Sequence, residues 1–246
     1  AGLATGTTPI GLYACLVDDC AQGKISFADV TTFNLDEYRG LDPEHDQSYR
    51  YFMKKHLFDH VDIDQARTHV PEARTPMPRP CAQPTNRPLK RRAHRFAAAR
   101  LGPNGHIGFN EPEDTFPKAT HCVDLTESTI QANSRLFDRV EDVPRQAYTM
   151  GIGTIMAARS VLVVVEGSHK AEIVKKAFFG PVTPEVPASI LQFHPDAPSL
   201  SIRQRVRCAS KGRLGSDGRG IRVRRHRHRR RALRGCRPAG HCGDGG

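Results

Sequence analysis

Three polar clusters in this 246-residue sequence combine residue types that can do chemistry. Thr5-Gly6-Thr7-Thr8-Pro9 lies between a strand-like start and an apolar helix-like run. The backbone N–H groups of such a loop, at a helix N-terminus, take an anion such as a phosphate, and threonine hydroxyls add donors. A plain turn is the commoner use of so short a loop. Asn34-Leu35-Asp36-Glu37-Tyr38 closes a β-branched and aromatic run. Adjacent carboxylates there would serve as a base, with helix capping or a solvated loop as the alternative. Gly102-Pro103-Asn104-Gly105-His106-Ile107-Gly108-Phe109-Asn110-Glu111-Pro112 sets a histidine five residues before a glutamate in a glycine-rich loop. A lone histidine is usually structural, but one oriented by a carboxylate can shuttle a proton. The spacing is not that of a zinc site, which would need paired Cys or His four residues apart.

These clusters need elements to hold them. Ile10 to Val17 starts a helix, with Leu12, Leu16 and Val17 at near-helical spacing. Val30 to Leu35 reads as a buried strand, and Ser48 to Phe58 as an amphipathic helix. Ser160 to Val165 is a continuous apolar run closed by Glu166-Gly167, as in a central parallel strand. Ser168 to Phe179 is its following helix, stopped by Gly180-Pro181. Alternating strands and helices predict an α/β fold: a doubly wound, mostly parallel Rossmann-like sheet with helices on both faces. Its ligands belong at the carboxyl ends of the strands.

The charge is badly mixed. The chain carries a formal +11, which taken whole would suggest nucleic acid or an anionic surface. Arg74 to Arg100 holds eight basic residues and no acidic one, and Pro198 to Gly246 a net +13, leaving −10 on the other 170 residues. The tail, with Arg222 to Arg231 almost wholly Arg and His, is low-complexity and expected to be disordered. It has no Phe, Tyr or Trp to stack on bases, so no specific nucleic-acid partner is expected. His226, His228, Cys236, His241 and Cys242 match no zinc pattern. Mean hydropathy is −0.51, and the longest branched-apolar run, Val161 to Val165, is far below the ~20 residues that span a bilayer. Seven irregularly spaced Cys and no signal segment predict a reducing, cytoplasmic compartment.

Several motifs stand in an order that resembles the glucosamine-6-phosphate deaminase (glucosamine-6-phosphate isomerase) family. They are Thr5 to Pro9, Val30 to Tyr38, Phe58 to Ile63, Gly105 to Pro112, Ala132-Asn133-Ser134-Arg135, Gly151 to Thr154, Gly167 to Lys170 and Leu191 to Pro195. Gly-His-Ile-Gly-Phe-Asn-Glu-Pro is the most specific, and the resemblance covers about 1–73 and 101–197. It implies deamination of glucosamine 6-phosphate to fructose 6-phosphate, with no metal or organic cofactor. Asp36 would transfer the proton, His106 assist ring opening with Glu111 paired to it, and Asn104 complete the triad. Thr5, Gly6, Thr7, Thr8, Arg135 and Lys170 would hold the phosphate. About 125–143 resembles a mobile lid, and the family implies a homo-oligomer. Some relatives are activated by N-acetylglucosamine 6-phosphate through a Ser, an Arg and a Lys. An ungapped carry-over puts Asp114, His121 and Val123 there, so no such activation is expected. The runner-up readings are an inactive fragment of that enzyme and a 6-phosphogluconolactonase-like hydrolase.

The resemblance also marks two departures. The family carries about 35 residues ahead of position 1, so the sheet is expected to be incomplete at the N-terminus and at the C-terminus. Within a 1–197 domain, 75–100 is anomalous and expected to be disordered or non-native, and 198–246 is the disordered tail. Where the family has an apolar strand ending in glycine, this chain has His94-Arg95-Phe96-Ala97-Ala98-Ala99-Arg100. A one-nucleotide shift there, and a two-nucleotide shift after Asp196, permit apolar strands. We therefore hypothesise that both stretches are frameshift products; a clean read of the coding DNA with no indel would refute it. Arg-rich sequence in a central strand would bury charges at several kcal/mol each, so the chain is expected to fold poorly.

Overall fold

A computed structural model describes residues 1–74, 96–197 and 199–202. In chain order the elements are β1 (Gly2–Leu3), α1 (Ile10–Ala21), β2 (Thr32–Asn34), β3 (Asp36–Tyr38), α2 (Tyr49–His56), β4 (Thr68–His69) and β5 (Ala97–Arg100). There follow β6 (His121–Asp124), α3 (Glu127–Ser134), β7 (Gln146–Thr149), α4 (Ile152–Met156), β8 (Val161–Glu166), α5 (Ala171–Phe179) and β9 (Ser199–Ile202). Six strands form one parallel sheet in the order β4-β2-β1-β5-β8-β9. From the centre, β1, β2 and β4 step outward on one side, and β5, β8 and β9 on the other. The direction of winding therefore reverses between β1 and β5, and the crevice beyond their carboxyl ends is where such sheets bind ligands.

Two apolar clusters cover the sheet. Tyr13 of α1 and Met53 of α2 pack with Leu3, Leu57, Phe58 and Ile63. Val161, Val163 and Val165 of β8 pack with Ile155, Ile173, Ala177 and Leu191. Burying such side chains contributes ~1.5–3 kcal/mol each, which is why β8 reads as an unbroken apolar run. A second sheet, antiparallel in the order β3-β7-β6, pairs Asp36 with Thr149 and carries its own cluster around Tyr38, Tyr49, Phe109 and Ile130.

Three expectations differ from what is observed. Of the stretch 75–100 read as non-periodic, Ala97–Arg100 is the central strand, aligned Ala97 to Val161 and Arg100 to Val164. Charge density hid it: Ala97, Ala98 and Ala99 are small, neutral and buried, so within β5 only Arg100 is charged. Of the tail, Ser199–Ile202 adds a parallel edge strand to β8. Asp36–Tyr38 is itself a strand, with all three residues buried, where a solvated loop was one alternative. The expectations for 75–95, 198 and 203–246 lie outside the described residues.

Candidate active site

The Thr5–Thr8 loop leaves the carboxyl end of β1 and enters α1. Gly6 holds φ +95°, a left-handed conformation that suits glycine and turns the loop back over the sheet. Gly6, Thr7 and Thr8 line a cavity of about 110 Å3 together with Arg135, the residue that closes α3, and Arg100, the last of β5. Thr5 lies beneath, fully buried, with its hydroxyl unpartnered. Lys170 does not line this cavity. Its ammonium donates to the Leu101 carbonyl at 3.1 Å, and burial, then the charge of Arg100, lowers it to about 8.

Asp36 and Glu37 alternate across β3 and so serve different ends. Glu37 accepts the backbone N–H of Tyr38 (2.9 Å), Tyr49 (2.9 Å) and Arg50 (3.0 Å), which fastens the start of α2 to the sheet. A capping Asp was the alternative for this pair, but Ser48 is the N-cap of α2 and Glu37 reaches its first N–H groups from β3. Burial pushes its carboxyl up to about 7 against the pull of those N–H groups. Asp36 is buried, with Oδ1 unpartnered, and is not among the residues that line the cavity. Burial pushes it up to about 6, with Arg100 drawing it back.

His106 and Glu111 meet in the loop after β5, His106 Nδ1 standing 3.4 Å from Glu111 Oε1 with both side chains buried. Asn104 Nδ2 donates to Glu111 Oε2 at 2.5 Å, and Asn104 Oδ1 accepts the His106 N–H at 3.3 Å. The imidazole lies over Gly102, where a methyl group would come within 2.2 Å of Nε2. Burial, only partly opposed by Glu111, holds His106 below its ordinary range. Burial would raise Glu111, but His106, Thr129 and Asn104 more than offset it and hold the carboxylate low.

The sequence brought forward no threonine near Glu111, yet two converge on it. Thr129 Oγ1 donates to Glu111 Oε1 at 2.7 Å and Thr126 Oγ1 to Oε2 at 3.1 Å. Thr126 stands at the N-cap of α3, but its hydroxyl turns to Glu111 and makes no cap bond to the helix. The Thr126/Thr129 spacing at a helix start reads only as a cap. A third threonine, Thr149 of β7, accepts the Phe109 N–H at 3.0 Å, and Asn110 Nδ2 donates to the Ile107 and Met150 carbonyls at 2.8 and 2.9 Å. Arg100 and Tyr49, which also line the cavity, carried no sequence signal either.

A Gly/Thr loop at a helix N-terminus, a buried carboxylate and a buried histidine beside a glutamate are parts that suit chemistry on a sugar phosphate. Residues 1–199 match the family described as glucosamine-6-phosphate isomerases/6-phosphogluconolactonase, and the chain belongs to it. It is 50% identical over 196 residues to a glucosamine-6-phosphate deaminase of Lachnoclostridium phytofermentans, covering 79% of this chain and 83% of that one. It is 48% identical over 196 residues to the same enzyme of Halothermothrix orenii, covering 79% and 81%. Among solved structures, a monomeric glucosamine-6-phosphate deaminase superimposes with TM-score 0.73 at 36% identity, covering 81% of this chain and 83% of that one. A 6-phosphogluconolactonase from Thermotoga maritima shares the fold, with TM-score 0.58 at 16% identity over 81% of this chain and 83% of that one.

Proposed function

We propose that the chain converts glucosamine 6-phosphate and water to fructose 6-phosphate and ammonia. What supports this reading is that the Thr5–Thr8 loop and Arg135 line one cavity with Arg100, whose charge bears on both Asp36 and His106, the latter beside Glu111 and Asn104. The phosphate dianion lies against the loop N–H groups, the Thr7 and Thr8 hydroxyls and the Arg135 guanidinium, with the Lys170 charge nearby. His106, oriented by Glu111, moves the proton between the ring oxygen and the C1 hydroxyl as the sugar opens.

Asp36 then takes the proton from C2 and returns it to C1. The C2 ammonium gives one of its protons to the C1 oxygen, so the aldehyde becomes a CH2OH group and C2 becomes an iminium carbon. Water adds to that carbon, and ammonia leaves as the ketose carbonyl forms. A carboxyl near 6 is ionised at neutral pH yet basic enough to hold the proton in transit. Asn104, Thr126 and Thr129 keep Glu111 an acceptor for His106.

The test is ammonia and fructose 6-phosphate from the purified chain and from its Arg100→Ala variant, in which the cavity is wider, lost in both on Asp36→Asn. Hydrolysis of 6-phosphogluconolactone without ammonia release would overturn the reading. The same reading carries a homo-oligomer, which sedimentation velocity decides against the monomeric state named for the solved relative. It carries no rate response to N-acetylglucosamine 6-phosphate, since Asp114, His121 and Val123 offer no matching set of donors. Cys20 and Cys122 are free thiols, which suits a reducing compartment such as the cytoplasm. No helix among the described residues is long and apolar enough to cross a membrane.

A further inference from the structure

Arg100 sits where the sugar has to go. It ends β5 at the switch point and lines the cavity with Thr7, Thr8, Tyr38, Tyr49 and Arg135. Its Cδ lies 3.5 Å from where a Cβ on Gly6 would stand, so the stem runs alongside the phosphate loop. Its guanidinium carbon lies 5.7 Å from the Phe109 ring centroid, beneath the His106 loop. Its Nε is buried and donates to nothing. Its charge bears on Asp36, His106 and Lys170 alike. One side chain therefore reaches from the phosphate end of the site to the proton-transfer end, the path a six-carbon chain must take. What remains open is about 110 Å3, whereas cavities that enclose small ligands measure roughly 300 Å3 or more.

We infer that Arg100 occupies the sugar's part of the cavity, so that this chain admits a phosphate but excludes a phosphosugar until that side chain withdraws. The inference rests on the proposed function. Its chemistry sharpens the obstruction, because glucosamine 6-phosphate brings an ammonium on C2 toward a buried guanidinium. Like charges at close range in a desolvated site repel strongly. Inorganic phosphate, which needs the loop, Arg135 and the Lys170 charge but no room for a sugar, meets no such barrier.

The test is calorimetric titration of the intact chain with inorganic phosphate and with the alditol 6-phosphate of glucosamine, which lacks the carbonyl and cannot react. In the parent chain the alditol phosphate binds less than about tenfold more tightly than phosphate; in Arg100→Ala it binds more than about tenfold more tightly. Phosphate affinity stays within that factor, and ammonia release rises with alditol affinity. An alditol phosphate that already exceeds phosphate by more than about tenfold in the parent overturns the inference, and needs no substitution to do so. Loss of phosphate affinity in Arg100→Ala beyond that factor also overturns it, and makes Arg100 a phosphate ligand. If Arg100→Ala gains alditol affinity but releases no ammonia, the occlusion stands and the deaminase reading falls. If neither chain binds either ligand, both fall.

Discussion

Replacing Asp36 with Asn should abolish proton transfer and, at neutral and alkaline pH, stabilise the protein. Asp36 is buried, and its carboxyl is pushed from an ordinary 3.8 to about 6. The native site thus binds a proton more tightly than the unfolded chain does. The stability this confers is full below about 3.8 and is lost as pH rises through about 6. Above that pH the ionised carboxylate costs the fold about 3 kcal/mol, at 1.36 kcal/mol per tenfold change in proton affinity. Asn keeps the shape without the charge, and Oδ1 is unpartnered before and after, so no hydrogen bond at that atom is forfeited. Urea unfolding at pH 8 should show Asp36→Asn more stable by about 2–3 kcal/mol, with the melting temperature raised by roughly 4–12 °C. Near pH 4 the two chains should coincide. Arg100 lowers the Asp36 carboxyl, so the gain at pH 8 should be larger in an Arg100→Ala background. Equal or lower stability of Asp36→Asn at pH 8, or a difference that does not vary with pH, refutes the argument.

Four other outcomes follow from the same geometry. Glu37→Leu leaves the N–H groups of Tyr38, Tyr49 and Arg50 without acceptors and should destabilise by about 2 kcal/mol or more, with exchange protection at the start of α2 lost first. Gly102→Ala brings a methyl within 2.2 Å of His106 Nε2; displacing the ring by about 1 Å should lower kcat of the Arg100→Ala chain ~100-fold while CD is unchanged. Thr129→Val removes the 2.7 Å donor to Glu111, so the acid limb of the kcat/KM profile of the Arg100→Ala chain should move to higher pH, with roughly tenfold loss. Lys170 titrates at about 8 under burial and the charge of Arg100. Phosphate affinity should therefore fall as pH passes that value, and the fall should move to higher pH in Arg100→Ala. A flat profile removes Lys170 from the phosphate site.

The legible and the hidden parts of this molecule differ by the range of the interaction that decides them. β8 and the Thr5–Thr8 turn into α1 are set by local apolar runs and by one glycine in a left-handed conformation, and both stood out in the sequence. β5 did not, because a strand of three alanines has little local preference and is held by its neighbours β1 and β8. The same holds for the side chains. His106, Asn104 and Glu111 share one short loop and could be grouped by spacing. Thr126 and Thr129 reach Glu111 from 15 and 18 residues away, and their helix-start positions give an innocent local reading. Arg100 is the extreme case. In sequence it is one of eight basic residues in a stretch that reads as disrupted. In the fold it is the residue at which β5 opens into the site, so its side chain enters the cavity and its charge reaches the carboxylate beside it. A change that looks like surface composition therefore acts on Asp36, the proposed base. A long cation at the end of the central strand narrows the cavity and draws down the proton affinity of Asp36 in one step. The two effects separate by size and charge: Arg100→Met should leave the cavity narrow while letting Asp36 rise above about 6, and Arg100→Ala should relieve both.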